Sequence, residues 1–197
     1  MAAYTTIDDP ELYFNTKLFT GNASADNAIT GVGFQPDWVW LKDRVGTNNH
    51  SLYDSVRGVT KAIRTSTSGV ETTTSGVTTF GADGFTVGDN AMGNAANAMV
   101  AWCWKETATA GFDIVSYTGN GTDDTDISHN LSAVPKMIII KNRDAADSWQ
   151  VYHSANTSSP ETDYLVLDTN VATADALTDG VMKPLLQVFL HLVMVLR

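Results

Sequence analysis

The chain has 197 residues, of which 43% are hydrophobic and 17% are charged. This length accommodates one large domain or two domains of about 100 residues, and the apolar fraction is sufficient for a packed core. The formal net charge of -10 repels phosphate backbones and no cluster of basic residues offsets it, so the composition argues against nucleic-acid binding. Collagen-like, coiled-coil and mostly disordered chains are also excluded, because the sequence is turn-rich without low complexity.

Apolar and β-branched segments of strand length recur along the chain, separated by clusters of Gly, Asn, Asp and Ser. A period of two directs Trp38 and Trp40 to one face of a sheet and Val39 to the other. We therefore expect an all-β protein, an antiparallel β-sandwich of jelly-roll or lectin-like type. Residues 65–79 are rich in Ser, Thr and Gly, which predicts an exposed hairpin or loop rather than a core segment. The predicted strands are 12–19, 38–41, 50–56, 84–88, 99–105, 112–117, 137–140, 148–153 and 164–168.

The chain contains an internal repeat. Segments 19–22, 36–44 and 52–55 return in the same order as 117–120, 135–143 and 151–154. Matching order and spacing over about 40 residues indicates two tandem copies of one module of about 99 residues. We predict a first module at residues 1–108 and a second, truncated copy at 109–182. The second copy is incomplete because it lacks counterparts of residues 84–89 and 100–104.

Residues 183–197 form an atypical apolar tail. The apolar run is shorter than the roughly 20 residues that a membrane span needs, so we reject a transmembrane anchor. Three alternatives remain: a buried strand or short helix that replaces the lost strands, a partner-binding segment, or a sticky end without a fixed place. Degenerate codons for residues 183–196, read out of frame, can restore the missing motif. We therefore hypothesise that the tail is a frameshift product.

Cys103 is the single cysteine, so an intrachain disulfide is excluded. Residues 1–6 carry neither the basic region nor the apolar region of a secretory signal, so we expect assembly in a reducing compartment.

Sequence signals for catalysis are weak. The four glutamates lack a glycosidase-like strand pattern, the four histidines lack metal-ligand spacing, and no Gly-x-Ser-x-Gly motif is present. We expect a non-enzymatic protein with no catalytic residues and no cofactor. Asp123, Asp124 and Asp126 form a weak calcium candidate without the distal glutamate of an EF-hand, and a solvated acidic loop is favoured there.

Aromatic side chains beside polar groups are how β-sandwich lectins hold sugars, since a ring covers the apolar face of a pyranose. The competing interpretation is that Tyr53 and Tyr152 alternate with core residues and that Arg57 pairs with an inward-facing aspartate. We assign Trp38, Trp40, Trp102 and Trp104 to core or sheet-face packing. The ligand-binding candidates are Tyr53, Asp54 and Arg57 in the first copy, and Trp149, Tyr152 and His153 in the second.

Several motifs resemble a module of tailed-phage structural proteins, especially from phages of marine bacteria, that are described as tail fibre or virion proteins. They are YTTI at 4–7, YFNTKLFTGN at 13–22, GVGFQPD at 31–37, LYDSVRG at 52–58, DGFTVG at 83–88 and VAWCW at 100–104. The resemblance covers residues 4–105 and extends to 112–168 through the second copy.

The resemblance implies a phage virion structural protein associated with the tail fibre, made in the host cytoplasm, that displays loops for host-surface glycan recognition. The implied partners are other virion proteins, a host glycan and further copies of the chain in a homo-oligomer such as a trimer. Nucleic-acid and membrane partners are not expected. A capsid decoration or other virion assembly protein is the alternative, and a glycan-depolymerising enzyme is less favoured.

Overall fold

The computed structural model describes residues 7–120, 125–175 and 190–196. The described residues divide into two compact units. Unit 1 lies within Met1–Arg64 and Thr72–Ala110, and unit 2 lies within Thr65–Glu71 and Gly111–Arg197.

Nearly all regular structure is β-strand, apart from a 3-10 turn at Pro10–Leu12 and one short helix, α1 (Ala91–Asn94). The strands are β1 (Phe14–Thr20), β2 (Asn27–Thr30), β3 (Trp38–Asp43), β4 (Ser51–Asp54), β5 (Lys61–Ala62), β6 (Thr72–Thr73), β7 (Val77–Gly81), β8 (Gly84–Val87), β9 (Ala98–Trp104), β10 (Phe112–Thr118), β11 (Met137–Asn142), β12 (Gln150–His153), β13 (Asp163–Val166), β14 (Ala174–Asp175) and β15 (Leu190–Leu196).

Unit 1 is a sandwich of two antiparallel sheets. The larger sheet has the strand order β1-β9-β3-β4, and the smaller one has the order β2-β8-β7. Alternation along β3 and β9 places Val39 and Cys103 on the inner face, where they pack with Ile29 and Phe85 of the smaller sheet. Burial raises the pKa of the Cys103 thiol to about 12. The predicted all-β antiparallel fold is confirmed.

The Thr-rich segment 65–79 contributes to this sandwich. Thr72–Thr73 pairs with β5, and Val77 in β7 has no exposed surface and belongs to the core. The prediction of an exposed loop is therefore wrong for Val77. Its burial depends on pairing with β8, which local composition does not report.

Unit 2 contains one antiparallel sheet with the order β10-β15-β11-β12-β13-β14. Its core includes Leu131 and Ile140, packed against Val115, Tyr117 and Ile138. The order β10-β15-β11-β12 corresponds to β1-β9-β3-β4 in unit 1. A short hairpin follows in each unit: β5–β6 in unit 1, linked to β4 by the single bridge Leu52–Ile63, and β13–β14 at the end of the sheet in unit 2. The pairs Ala62–Thr72 and Tyr164–Ala174 each enclose nine residues, 63–71 and 165–173.

The apolar tail supplies β15. This strand pairs with β10 on one side and β11 on the other, as β9 pairs with β1 and β3. Leu190–Leu196 therefore has the inner position that Ala98–Trp104 has in unit 1, which is the strand alternative for the tail. Residues 183–189 lie outside the described residues, and the frameshift origin stays a hypothesis.

A turn of the same construction follows β3 and β11. In unit 1, Asp43 Oδ1 accepts hydrogen bonds from the N–H groups of Val45 and Gly46, both at 2.9 Å. Lys42 Nζ donates to the carbonyl oxygens of Asp43 at 2.6 Å and Gly46 at 3.1 Å. The N–H of Gly46 and then that of Val45 hold the pKa of Asp43 at about 2, against the opposing effect of burial.

Asn142 replaces the aspartate in unit 2. Its Oδ1 accepts from the N–H groups of Asp144 at 3.0 Å and Ala145 at 3.2 Å. Lys141 Nζ donates to the carbonyl oxygens of Asn142 at 2.6 Å and Ala145 at 3.1 Å. Burial of Lys141 lowers its pKa to about 8. The turn thus requires a side-chain oxygen at this position but not a charge.

We expect the Asp43 turn to confer acid sensitivity on unit 1. The carboxylate has a lower pKa in the folded chain than its ordinary value of 3.8, so its contribution to stability is complete above about pH 4 and is lost as the pH falls to about 2. Asp43→Asn should therefore lose less stability than the wild type across this window. Urea denaturation at several pH values measures this, with Asp126→Asn, at an exposed site, as the control. Parallel pH profiles for wild type and Asp43→Asn would contradict the prediction.

Candidate functional site

The predicted sugar-binding residues of unit 1 lie inside the protein. Tyr53 has no exposed surface, and its hydroxyl oxygen lies 2.9 Å from Thr74 Oγ1. The side chains of Asp54 and Arg57 are also fully buried, and Arg57 Nε donates to Asp54 Oδ2. The prediction that these three residues bind a sugar is wrong, because Tyr53 and Asp54 belong to the fully buried strand β4 and the Arg57 side chain is buried against Asp54. The alternative of a tyrosine among core residues and an arginine paired with an inward aspartate is correct in unit 1.

The unit 2 candidates differ from one another. Trp149 is 1% exposed, so the prediction that it stacks on a sugar is wrong as well. Its backbone N–H donates to Asp168 Oδ1 at 2.8 Å, which fixes the start of β12. Tyr152 and His153 are half-buried, and His153 Nδ1 accepts from the N–H of Ala155 at 3.1 Å. A ligand role for Tyr152 and His153 stays a prediction.

The calcium candidate is described only in part. Asp126 is exposed, whereas Asp123 and Asp124 lie outside the described residues. Across 7–120, 125–175 and 190–196, no group of His, Cys, Asp and Glu side chains is placed to hold a metal ion.

A cluster of aromatic side chains lies on the larger sheet of unit 1, on the face opposite the core. Val39 and Cys103 point into the sandwich, so their neighbours in β3 and β9 point the other way. The register places Trp102 beside Trp40, and Trp104 between Phe14 and Trp38. Trp38 is only 1% exposed. We call the accessible part of this cluster the outer aromatic face, and it consists of Phe14, Trp40, His50, Trp102 and Trp104.

The rings of the outer aromatic face contact one another. Phe14 and Trp104 have ring centroids 4.7 Å apart, and Trp40 meets Trp102 edge to face at 6.0 Å. His50 lies parallel to Trp102 at a centroid distance of 6.3 Å. Phe14 is 38% exposed, and the other four side chains are half-buried. Such pairs hold each other in place, so the face presents fixed rings to solvent.

A hydrogen bond orders the middle of this face. Trp40 Nε1 donates to His50 Nδ1 at 3.0 Å, which requires this histidine nitrogen to be unprotonated. Burial lowers the pKa of His50, and the positive charge of Lys42 lowers it further. Both effects keep the imidazole neutral, so the bond persists at neutral pH.

The chemistry of this surface is that of binding. Indole and phenyl rings cover the apolar faces of sugar rings, while neighbouring polar groups bond to hydroxyls. Thr16 and Lys42 are the polar neighbours, because the register aligns Thr16 with Trp102 and Lys42 is two residues beyond Trp40 in β3. The five side chains of the face include no pair of carboxylates, which glycosidic cleavage requires.

The sequence predicts core or sheet-face packing for Trp38, Trp40, Trp102 and Trp104, and it does not predict an accessible binding face. The available signal was the pattern Trp-x-Trp, which occurs in both β3 and β9 and puts two rings on one face in each strand. Unit 2 does not repeat the pattern. Its equivalent register positions hold Phe112, Ile139, Met194 and Leu196.

A family model described as a domain of unknown function (DUF7483) matches residues 9–190. The chain belongs to the DUF7483 family. The match extends over both units, so the DUF7483 domain includes the outer aromatic face and reaches Leu190, the first residue of β15. No curated protein and no solved structure matches this DUF7483 chain. None of the helices in the described residues has the length and apolar character to cross a membrane.

We expect the Asp54–Arg57 pair of this DUF7483 chain to be a stability element. Arg57→Met leaves the Asp54 carboxylate buried without its partner, so the free energy of unfolding should fall by about 3–5 kcal/mol. Arg44→Met removes the same charge at an exposed site and should change it by less than about 0.5 kcal/mol. Urea denaturation compares the two variants, and equal effects would contradict the assignment.

Proposed function

We propose that this DUF7483 chain is a non-enzymatic structural protein of a phage virion, associated with the tail fibre, that binds host-surface glycans through the outer aromatic face of unit 1. The observation that carries the proposal is the group of accessible rings held on one face of the larger sheet. The resemblance of residues 4–105 to tailed-phage structural proteins supports the virion setting, since these residues include Phe14, Trp40, His50, Trp102 and Trp104.

The position of the rings favours a sugar ligand. An indole ring on the core side of the sheet would pack against the core and could not reach a ligand. Trp40, Trp102 and Trp104 lie on the opposite side, where part of their surface stays accessible. A pyranose that stacks on them removes apolar surface from water on both partners. Thr16 is exposed and paired in register with Trp102, so it offers a hydroxyl group at the border of the rings to a sugar hydroxyl. The face therefore combines stacking with directional hydrogen bonds.

The sheet also prepares the rings for binding. The hydrogen bond from Trp40 to His50 and the parallel packing of His50 on Trp102 limit the rotamers of all three side chains. A ligand then loses less affinity to side-chain ordering than it would on flexible loops. For this reason we assign recognition to the sheet face rather than to the loops.

The electrostatics suit a neutral or basic glycan. The chain carries a net charge of -10, which repels acidic polysaccharides at long range. Rings have no net charge, so stacking itself is independent of this repulsion. We therefore expect neutral and amino sugars to bind better than sulfated or uronic-acid polymers.

We expect the full chain to bind glycans on an array, and Trp102→Ala to weaken binding by about tenfold or more, because a central aromatic anchor is lost. Tyr117→Ala is the matched control, since it truncates a half-buried aromatic side chain in unit 2 and should leave binding unchanged. Thermal melting of both variants shows whether the fold is intact.

Three results would contradict the glycan proposal: no binding by the wild type, full binding by a folded Trp102→Ala, or loss of binding only in a folded Tyr117→Ala. Release of reducing sugar would contradict the non-enzymatic assignment. Mass spectrometry of purified virions tests the virion setting. If the protein is found in capsid fractions and not in tail fractions, the decoration alternative is favoured.

A further inference from the structure

The loop of the β5–β6 hairpin belongs to unit 2. Strands β5 and β6 are in unit 1, but the loop Thr65–Glu71 between them packs with unit 2. Arg143 holds its end, since Nε donates to Glu71 Oε2 at 2.9 Å and Nη2 donates to Oε1 at 3.1 Å. The backbone N–H of Glu71 donates to the carbonyl oxygen of Arg143 at 2.9 Å. This bidentate geometry is the strongest form of an arginine–carboxylate contact.

Arg143 also fixes the surface on which the loop lies. Its Nη1 donates to Ser116 Oγ in β10 at 3.0 Å. The side chains of Arg143 and Glu71 are only 15% and 14% exposed, so the pair is largely shielded from water. We call the surface formed by Ser116 and Arg143 the occupied seat.

Unit 1 has a surface at the same place in its sheet. Arg44 follows the last residue of β3 as Arg143 follows the last residue of β11, and Leu18 is the fifth residue of β1 as Ser116 is of β10. Leu18 is 58% exposed and Arg44 is exposed as well. Within the described part of the chain, no residue bonds to the Arg44 guanidinium. We call the surface formed by Leu18 and Arg44 the open seat.

Unit 2 has a second loop of the same kind. The β13–β14 hairpin encloses as many residues as β5–β6 does, so residues 167–173 correspond to Thr65–Glu71. All of residues 169–173 are exposed, and Val171 is 57% exposed. The chain therefore has one loop, Thr65–Glu71, that lies on the occupied seat. It also has an exposed loop at residues 169–173 and an open seat with no loop on it within the described residues.

We propose that residues 169–173 of one copy of the chain dock on the open seat of a second copy, in the way that Thr65–Glu71 lies on the occupied seat. Contact between Leu18 of one copy and Val171 of the other buries apolar surface of both side chains. The backbone N–H of Thr173 takes the role of the Glu71 N–H and donates to the carbonyl oxygen of Arg44. The loop and the seat are different surfaces, so the contact is heterologous and builds a ring or an open chain of copies.

One difference sets the strength of the contact. Thr173 stands where Glu71 does, so the two charge-assisted bonds to arginine are missing. Each copy also carries a charge of -10, which opposes association at low salt. We therefore expect weak association that becomes tighter when salt screens the repulsion between copies.

Sedimentation equilibrium of the full chain at about 0.15 M salt tests the proposal. Thr173→Glu should tighten association by about tenfold or more, because it restores the carboxylate that Arg143 binds in unit 2. Adding Arg44→Glu to Thr173→Glu should remove this gain, because the two carboxylates repel each other, and the combination of Arg44→Glu with Thr173→Arg should restore it. Lys136→Glu makes the same charge change at an exposed site of unit 2, and it should leave the measured association constant unchanged.

Cross-linking gives an independent test of the same contact. A copy with Arg44→Cys is mixed with a copy with Thr173→Cys under a mild oxidant, and a disulfide-linked dimer should form only if the two Cα atoms approach to within about 7 Å. Native Cys103 does not compete, because it is buried with a pKa of about 12. A mixture of Lys136→Cys with Thr173→Cys is the control and should stay unlinked. A monomeric Thr173→Glu chain, undiminished association when Arg44→Glu is added to Thr173→Glu, or equal cross-linking in the control would each overturn the proposal.

Discussion

The inner strand β9 is the element on which the rest of unit 1 depends. It pairs with β1 and β3 at once, and its period of two sends Ala101 and Cys103 into the core and Trp102 and Trp104 to the opposite face. A shift of register by one residue would exchange the two sets, placing small residues outside and indoles inside. The close-packed core therefore fixes the position of the outer aromatic face, although the two lie on opposite sides of the sheet.

Strand β15 has the same inner position in unit 2 but a different composition. It supplies the pairing that joins β10 to β11, so a sheet of the same order is completed by the apolar tail. The pairing is made by backbone groups, which every residue except proline carries. Side-chain identity is then free to differ between the two units, and only unit 1 has the Trp-x-Trp pattern. The two units share a scaffold but not a surface.

Much of the fold was predictable because its strongest signals are local. The alternation in Trp38–Asp43 and the apolar run in Met137–Asn142 identify the central strands directly. The smaller sheet of unit 1 is harder to predict. Asn27–Thr30 is not among the predicted strands, because it is short and half of its residues are polar. Val77 was assigned to a loop for the same reason. Both segments become strands through their pairing with Gly84–Val87, which is a nonlocal contact.

The site was harder to predict than the fold, because burial of each face is a tertiary property. Tyr53 and Asp54 alternate as strand residues do, yet β4 is buried on both faces, so neither reaches a ligand. The reverse holds for Trp102, whose large apolar ring suggests a core position. Residue type gives the energetic preference for burial, but the opposite sheet can cover only one face of β9. The three tryptophans of the outer aromatic face leave part of their apolar surface in water, and a ligand that stacks on them buries that surface.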